Sequence, residues 1–206
     1  MMMGRRINLR LKGQRGASFV ELALILPLLV IMVFGIIDLG RLIQTRLIVT
    51  NVSREGGSLA SRDISTGSGL ITILQSSASP LDMAQYGKIW VTNIKAGVSA
   101  ARPDPTIDPD YNPRLQSAGL EIPSSVVGNP GATPTGWITT TPLYPRLQFD
   151  TGNNTVDLSQ ITVVEVFYFY TPITPLPNFI ATLFPNSFVI GGQSRIGLII
   201  GSRAVF

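Results

Sequence analysis

The chain has 206 residues, 45% hydrophobic and 14% charged, with a formal net charge of +4, no cysteine and no histidine. Without cysteine there are no disulfides and no thiolate chemistry; without histidine the commonest general base, the usual serine triad and most zinc sites are gone. The positive charge is local: Arg5, Arg6, Arg10, Lys12 and Arg15 precede Gly16 with no acid among them, and the remaining eleven basic residues face twelve acidic ones. The balance reports a short basic leader, residues 1–16, and gives no sign of a nucleic-acid partner. So low a charged fraction fits a membrane-linked or secreted protein better than a cytosolic one.

Residues 17–37, "ASFVELALILPLLVIMVFGII", follow with one charge, Glu21. At 1.5 Å per residue they reach about 30 Å, one hydrocarbon thickness. The basic leader predicts a cytoplasmic N-terminus, with everything after the span extracytoplasmic. A removable secretory signal would have a shorter apolar core, about 7–15 residues, and then a small-x-small cleavage site. Here the run continues into "DLGRLIQTR". A charged side chain at the centre of a span costs roughly 2.5–3.5 kcal/mol on insertion scales. Glu21 is therefore a candidate functional residue, unless, close to the span's end, it reaches back to water. Pro27 removes one helical hydrogen bond and crowds the carbonyl of Ala23, giving a simple kink or a soft point used within an assembly.

From Asp38 the pattern stays helical. Leu39, Leu42, Ile43, Leu47, Val49 and Val52 recur at spacings of mostly three and four, with Arg41, Gln44, Arg46 and Arg54 between them. The spacing predicts that the anchor helix runs on outside the membrane, over 38–62, to about Ser61. Arg54 and Glu55 are expected to be solvated or to pair with the following domain. Gly56 and Gly57 weaken a helix by roughly 1 kcal/mol each relative to alanine. They mark a frayed end, a kink or close packing beneath a sheet, of which close packing is favoured.

Residues 63–206 are expected to form a small α+β domain. "DISTGSGLITILQSSASPLD" (63–82) reads as a linker whose apolar Leu70–Leu74 tucks into the core. "KIWVTNIKAGV" (88–98) is the first clear strand. Residues 103–145 hold nine of the fifteen prolines and form a long extended loop, with a short edge strand at Trp137–Thr141 as an option. Loops of this length often carry function, and this one is a candidate surface for other subunits. "QITVVEVFYFYTP" (160–172) is the strongest strand. Val163, Glu165, Phe167 and Phe169 share one face, and Val164, Val166, Tyr168 and Tyr170 the other. With both faces largely apolar, one should pack on the anchor helix and the other lie beneath a loop. "LPNFIATLFPN" (176–186) is an apolar turn or short helix. "SFVIGGQSRIGLIIGSRAVF" gives either a hairpin across Gly191–Gly192 or one broken strand. The architecture expected is a long N-terminal helix with a small antiparallel sheet packed on its outer half, a pilin-like α+β plan.

No catalytic constellation emerges, and neither enzyme activity nor a cofactor is expected. Asp108-Pro109-Asp110-Tyr111-Asn112 mimics the start of a calcium loop, yet Pro113 stands where the glycine belongs and Gly119 where the bidentate glutamate belongs. A looser cation site on Asp104, Asp108 and Asp110 competes with ordinary Asp-Pro turn chemistry. The aromatic run Phe167–Tyr170 reads as core before it reads as a binding platform. "GSGLI" and "GGQSR" lack the lysine of a phosphate-cradling loop.

The basic leader, Gly16, the apolar helix and a glutamate five residues after that glycine resemble a type IV prepilin signal. Further along, "RGASFVELALILPLLVIMVFGIIDLGRL", "NVSREGGSLASR" and "VEVFYFYTPITPL" resemble the TadE-like family of the tight-adherence (Flp) pilus system. The resemblance implies that a prepilin peptidase cuts between Gly16 and Ala17 and leaves the helix as an inner-membrane anchor. It implies that Glu21 acts in assembly with other pilin subunits and that Arg54, Glu55 and Gly56 form the family's motif after the span. Physically, a carboxylate on one helix can pair with the α-amino group that cleavage exposes on its neighbour, offsetting burial and setting the axial register. The function implied is a minor pilin or pseudopilin. The alternative is a single-span, membrane-anchored binding module that keeps its leader and uses the Pro-rich loop as its ligand surface.

Overall fold

The computed structural model describes the chain except for residues 1–13, 62–67, 110–114, 175–186 and 191–192. Its first element is a single helix, α1 (Gln14–Ser61), which continues through Pro27. From Ser18 it is long and apolar enough to cross a membrane, and none of its most apolar window is covered by the rest of the chain. Phe19, Leu24, Leu28, Met32 and Ile36 are all exposed. A helix apolar all round is a helix for an apolar surrounding.

Beyond Asp38 the helix becomes two-sided. Asp38, Thr45, Val49, Val52, Ser53, Gly56 and Gly57 are buried against the domain, while Leu39, Ile43 and Leu47 stay exposed. The apolar positions that read as one series in the sequence thus split between two faces. The glycines resolve as close packing: a Cβ on Gly56 would sit 2.9 Å from a Leu74 methyl and 3.0 Å from a Val164 methyl.

The segment expected as a linker contains helix α2 (Ser68–Ser77). Its Leu70, Ile71 and Leu74 enter the same core cluster as Val49 and Val52, so the apolar tuck is present but helical. One short turn, α3 (Met83–Tyr86), is capped by Asp82, whose carboxylate accepts from the Gln85 N–H at 3.1 Å. It leads into strand β1 (Gly87–Lys95).

The Pro-rich stretch is more structured than a loop. It places β2 (Thr106–Ile107) and β3 (Leu115–Gln116) along the outer edge of β1. It then forms a small ribbon, β4 (Val126–Val127) with β5 (Thr135–Gly136). The edge strand considered at Trp137–Thr141 is instead a 3-10 turn, Trp137–Thr140, followed by one helical turn, α4 (Tyr144–Leu147). The tight curl follows from Gly136, whose φ is +83° and whose Cβ, if present, would lie 2.4 Å from the Ser125 carbonyl. The chain turns back there instead of extending.

Strand β6 (Gln160–Tyr170) pairs with β1 on one side and β9 (Leu198–Val205) on the other, all antiparallel. A hairpin, β7 (Ser187–Ile190) with β8 (Gln193–Ile196), pairs Ile190 with Gln193 across residues 191–192. This is the hairpin option for the C-terminal segment; β9 continues after Gly197. The expected turn or helix at 176–186 lies outside the described residues.

The two faces of β6 go to different partners. Val164, Val166 and Tyr170 join Val49, Val52, Leu70 and Leu74 on the α1 side. On the opposite side Val163 packs with Ile107, Val126, Ile138 and Leu147 from the Pro-rich cover, and Phe169 with Leu120. The molecule is an α+β protein, a long N-terminal helix carrying an antiparallel sheet on its C-terminal half.

Candidate functional site

Gly16 and Ala17 lie in the first turns of α1. Glu21 follows on the bare part of the helix, exposed and with only apolar residues for its next sixteen neighbours. From Glu21 to Asp38, the next acid, is seventeen residues, about 26 Å of helix rise. One acid thus stands near each end of the uncovered segment.

The two acids have opposite surroundings. Asp38 is 6% exposed. Its Oδ1 accepts from the Ile173 N–H at 3.1 Å, its Oδ2 accepts from the Thr174 hydroxyl, and its backbone carbonyl accepts from the Tyr170 hydroxyl at 2.9 Å. These bonds lock the end of β6 to the helix where the bare segment stops. Burial and the Asp38 charge push the Tyr170 hydroxyl above its ordinary pKa, with Arg41 opposing. Higher up, Ser53 and Ser202 share a hydroxyl hydrogen bond of 2.8 Å between α1 and β9.

Arg54, Glu55 and Gly56, expected as a motif, separate in space. Arg54 and Glu55 are exposed, whereas Gly56 lies against Leu74 and Val164. Glycine at 56 is what lets helix and sheet approach; Arg54 and Glu55 remain on the surface.

The sequence did not reveal the role of Glu165. It is fully buried at the centre of β6. Ser124 and Ser125 donate their hydroxyls to it, the Ser125 N–H lies 3.1 Å from Oε2, and Arg203 Nε donates to Oε1 at 3.0 Å. Arg203 also lies over the Trp137 ring, 5.3 Å from its centroid. Strand β9 supplies the cation because Glu165 and Arg203 are register partners. A lone glutamate on an apolar face was the only sequence signal, and neither Ser124-Ser125 nor Arg203 is close to it in sequence. The arrangement is a carboxylate saturated by donors, which joins the Pro-rich cover to the sheet.

The considered cation site is not assembled among the described residues. Asp108 pairs with Lys95 at 2.8 Å, Asp104 accepts from the Gln148 amide at 3.1 Å, and Asp110 lies outside the description. No group of three or more metal-ligating side chains occurs among the described residues. Phe167, Phe169 and Tyr170 are buried, with Tyr168 half-buried, so the aromatic run is core.

A family model described as TadE-like protein matches residues 16–58. The match covers the bare half of α1, Asp38 and the buried helical face through Gly56. No curated protein and no solved structure matches the chain.

Proposed function

On the premise that residues 16–58 are TadE-like, we propose that this chain is a minor pilin or pseudopilin of a tight-adherence pilus. It is anchored in the inner membrane with its leader in the cytoplasm and its sheet domain outside. A prepilin peptidase cuts between Gly16 and Ala17. The mature helix then packs beside those of other pilin subunits, where Glu21 pairs with a neighbour's new α-amino group. The role is structural, without enzymatic activity or a cofactor.

The observation that carries this proposal is the two-sided α1. Its first half is left largely uncovered by the described residues, and the exposed series Leu39, Ile43 and Leu47 extends that bare surface past Asp38, on the face away from the sheet. Helices packing side by side would cover both.

The test is the N-terminus and intact mass of the membrane-extracted protein, with and without the peptidase. An N-terminus at Ala17 that depends on the peptidase is the expected result. An uncut leader in both strains would overturn it in favour of a tethered binding module. Gly16→Leu should leave the leader uncut and abolish assembly.

A further inference from the structure

A cleft of about 170 Å³ opens between α1 and the lower end of the sheet. Arg41 and Gln44 line it from the helix, Tyr168, Tyr170 and Ile173 from the end of β6, and Leu81 from the turn before α3. That is room for several waters or for a group the size of a phosphate.

Its height along α1 matters most. Arg41 lies four residues past Ile37, about 6 Å above the end of the apolar span. The polar layer of a bilayer is about 5–7 Å thick on each side, given about 30 Å of hydrocarbon within 40–45 Å overall. The cleft therefore opens at headgroup level. Ile173, 59% exposed, sits in the segment bonded to Asp38, where an apolar side chain meets the acyl boundary. Two tyrosines at the same level are the usual residues of that interface.

The cleft's chemistry is specific. Arg41 is exposed and makes no ion pair among the described residues. Burial, then the Asp82 charge, raise the pKa of the half-buried Tyr168 hydroxyl, which lines the cleft. It therefore keeps a proton to donate. Asp38 is occupied by Ile173 and Thr174, and the exposed Asp82 follows the lining residue Leu81, near enough for its charge to act on the Tyr168 hydroxyl. One free cation and one nearby carboxylate suit a ligand that carries both charges.

We propose that this cleft binds the headgroup of a zwitterionic, ethanolamine-type phospholipid in the leaflet on the domain's side. The phosphodiester lies on Arg41 and the Tyr168 hydroxyl, and the ammonium faces Asp82. This rests on the membrane-anchor reading of α1 but needs neither cleavage nor pilus assembly.

The test uses the full chain. Flotation with vesicles of phosphatidylethanolamine and phosphatidylglycerol first reports the anchor. Native mass spectrometry of protein extracted from an equimolar mixture of the two then reports the site. Wild type should retain one phosphatidylethanolamine per chain. Arg41→Gln should lose it roughly ten- to a hundredfold, as expected for a charge-assisted bond. Tyr168→Phe should lose it severalfold, and Arg46→Gln, outside the cleft, should retain it, all with unchanged melting. Equal retention by Arg41→Gln, or equal retention of phosphatidylglycerol, would overturn the assignment while flotation leaves the anchor standing. Displacement by equimolar glycerophosphoethanolamine would show a soluble ligand and also overturn it. Failure of every variant to float would overturn the anchor and the headgroup site together.

Discussion

The two halves of α1 share one backbone and opposite environments. Residues 18–37 are apolar but for Ser18 and Glu21, and their most apolar window is left uncovered by the described residues; residues 38–61 present one buried face to the sheet and one exposed face outward. Helix propensity does not separate them, since Ile, Leu and Val occur in both. The difference lies in what supplies the surrounding. The first half is left uncovered by the described residues, and the second is held by Val49, Val52, Gly56 and the bonds at Asp38 and Ser53. Substitutions in the first half should therefore act on insertion and assembly and spare the domain, and those in the second should act on folding.

The sharpest contrast should come from Glu21. Glu21→Ala is expected to abolish incorporation into pili, read by shearing and immunoblot, while leaving the melting temperature of the domain unchanged. A lowered melting temperature would mean that the halves are not independent.

Next in size is the buried ion pair. Arg203→Met removes the cation paired with the fully buried Glu165, and loss of one member of a buried pair costs about 3–5 kcal/mol. Arg203 is partly exposed and the serines remain, so denaturant unfolding should show a value near the lower end.

Asp38→Ala tests the junction. It strands the Ile173 N–H and the Thr174 hydroxyl, each worth about 1–3 kcal/mol when left unpaired and buried. Unfolding should show a loss of about 2 kcal/mol, and hydrogen exchange should quicken at 171–174. Asp38→Asn, which keeps an acceptor for the Ile173 N–H, should lose less.

The smallest effect is alkaline. Burial raises Tyr170 and Tyr168, so the folded state holds their protons more tightly than the unfolded one. That contribution is complete below about pH 10, the ordinary tyrosine value, and is lost as pH rises through the raised folded value. Lys88 runs the other way: burial lowers its pKa, with Glu121 opposing, so its contribution improves towards about pH 10.4. Tyr170→Phe should cost about 1 kcal/mol at neutral pH and make the loss above pH 10 shallower. An unchanged alkaline slope would exclude Tyr170 as its source.

Much of this architecture was legible in the residues. A helix reaching Ser61 and strands near 88–98 and 160–172 announce themselves by period and β-branching, while at the C-terminus the residues left a hairpin and a broken strand open and the β7–β8 pairing decided between them. The Pro-rich stretch was legible only in part. Nine prolines exclude long elements but say nothing of two-residue strands that borrow their partner from β1, nor of the 3-10 turn that Gly136 permits. The Leu70–Leu74 segment was too short for its period to separate helix from coil.

By itself the sequence determined the apolar span, the single acid near its start, the basic leader and the alternating strand at 160–170. Each is a local pattern whose meaning follows from helix rise, strand pleat and the cost of charge in hydrocarbon. Only the tertiary structure decided which face of α1 the sheet covers, that Asp38 accepts bonds from residues 135 and 136 positions away, and that Arg203 meets Glu165. Those facts depend on register between distant strands, and one residue of slip would turn Glu165 to the other face. The cover and β9 together make the buried carboxylate tolerable, because they bring Ser124, Ser125 and Arg203 to it as donors.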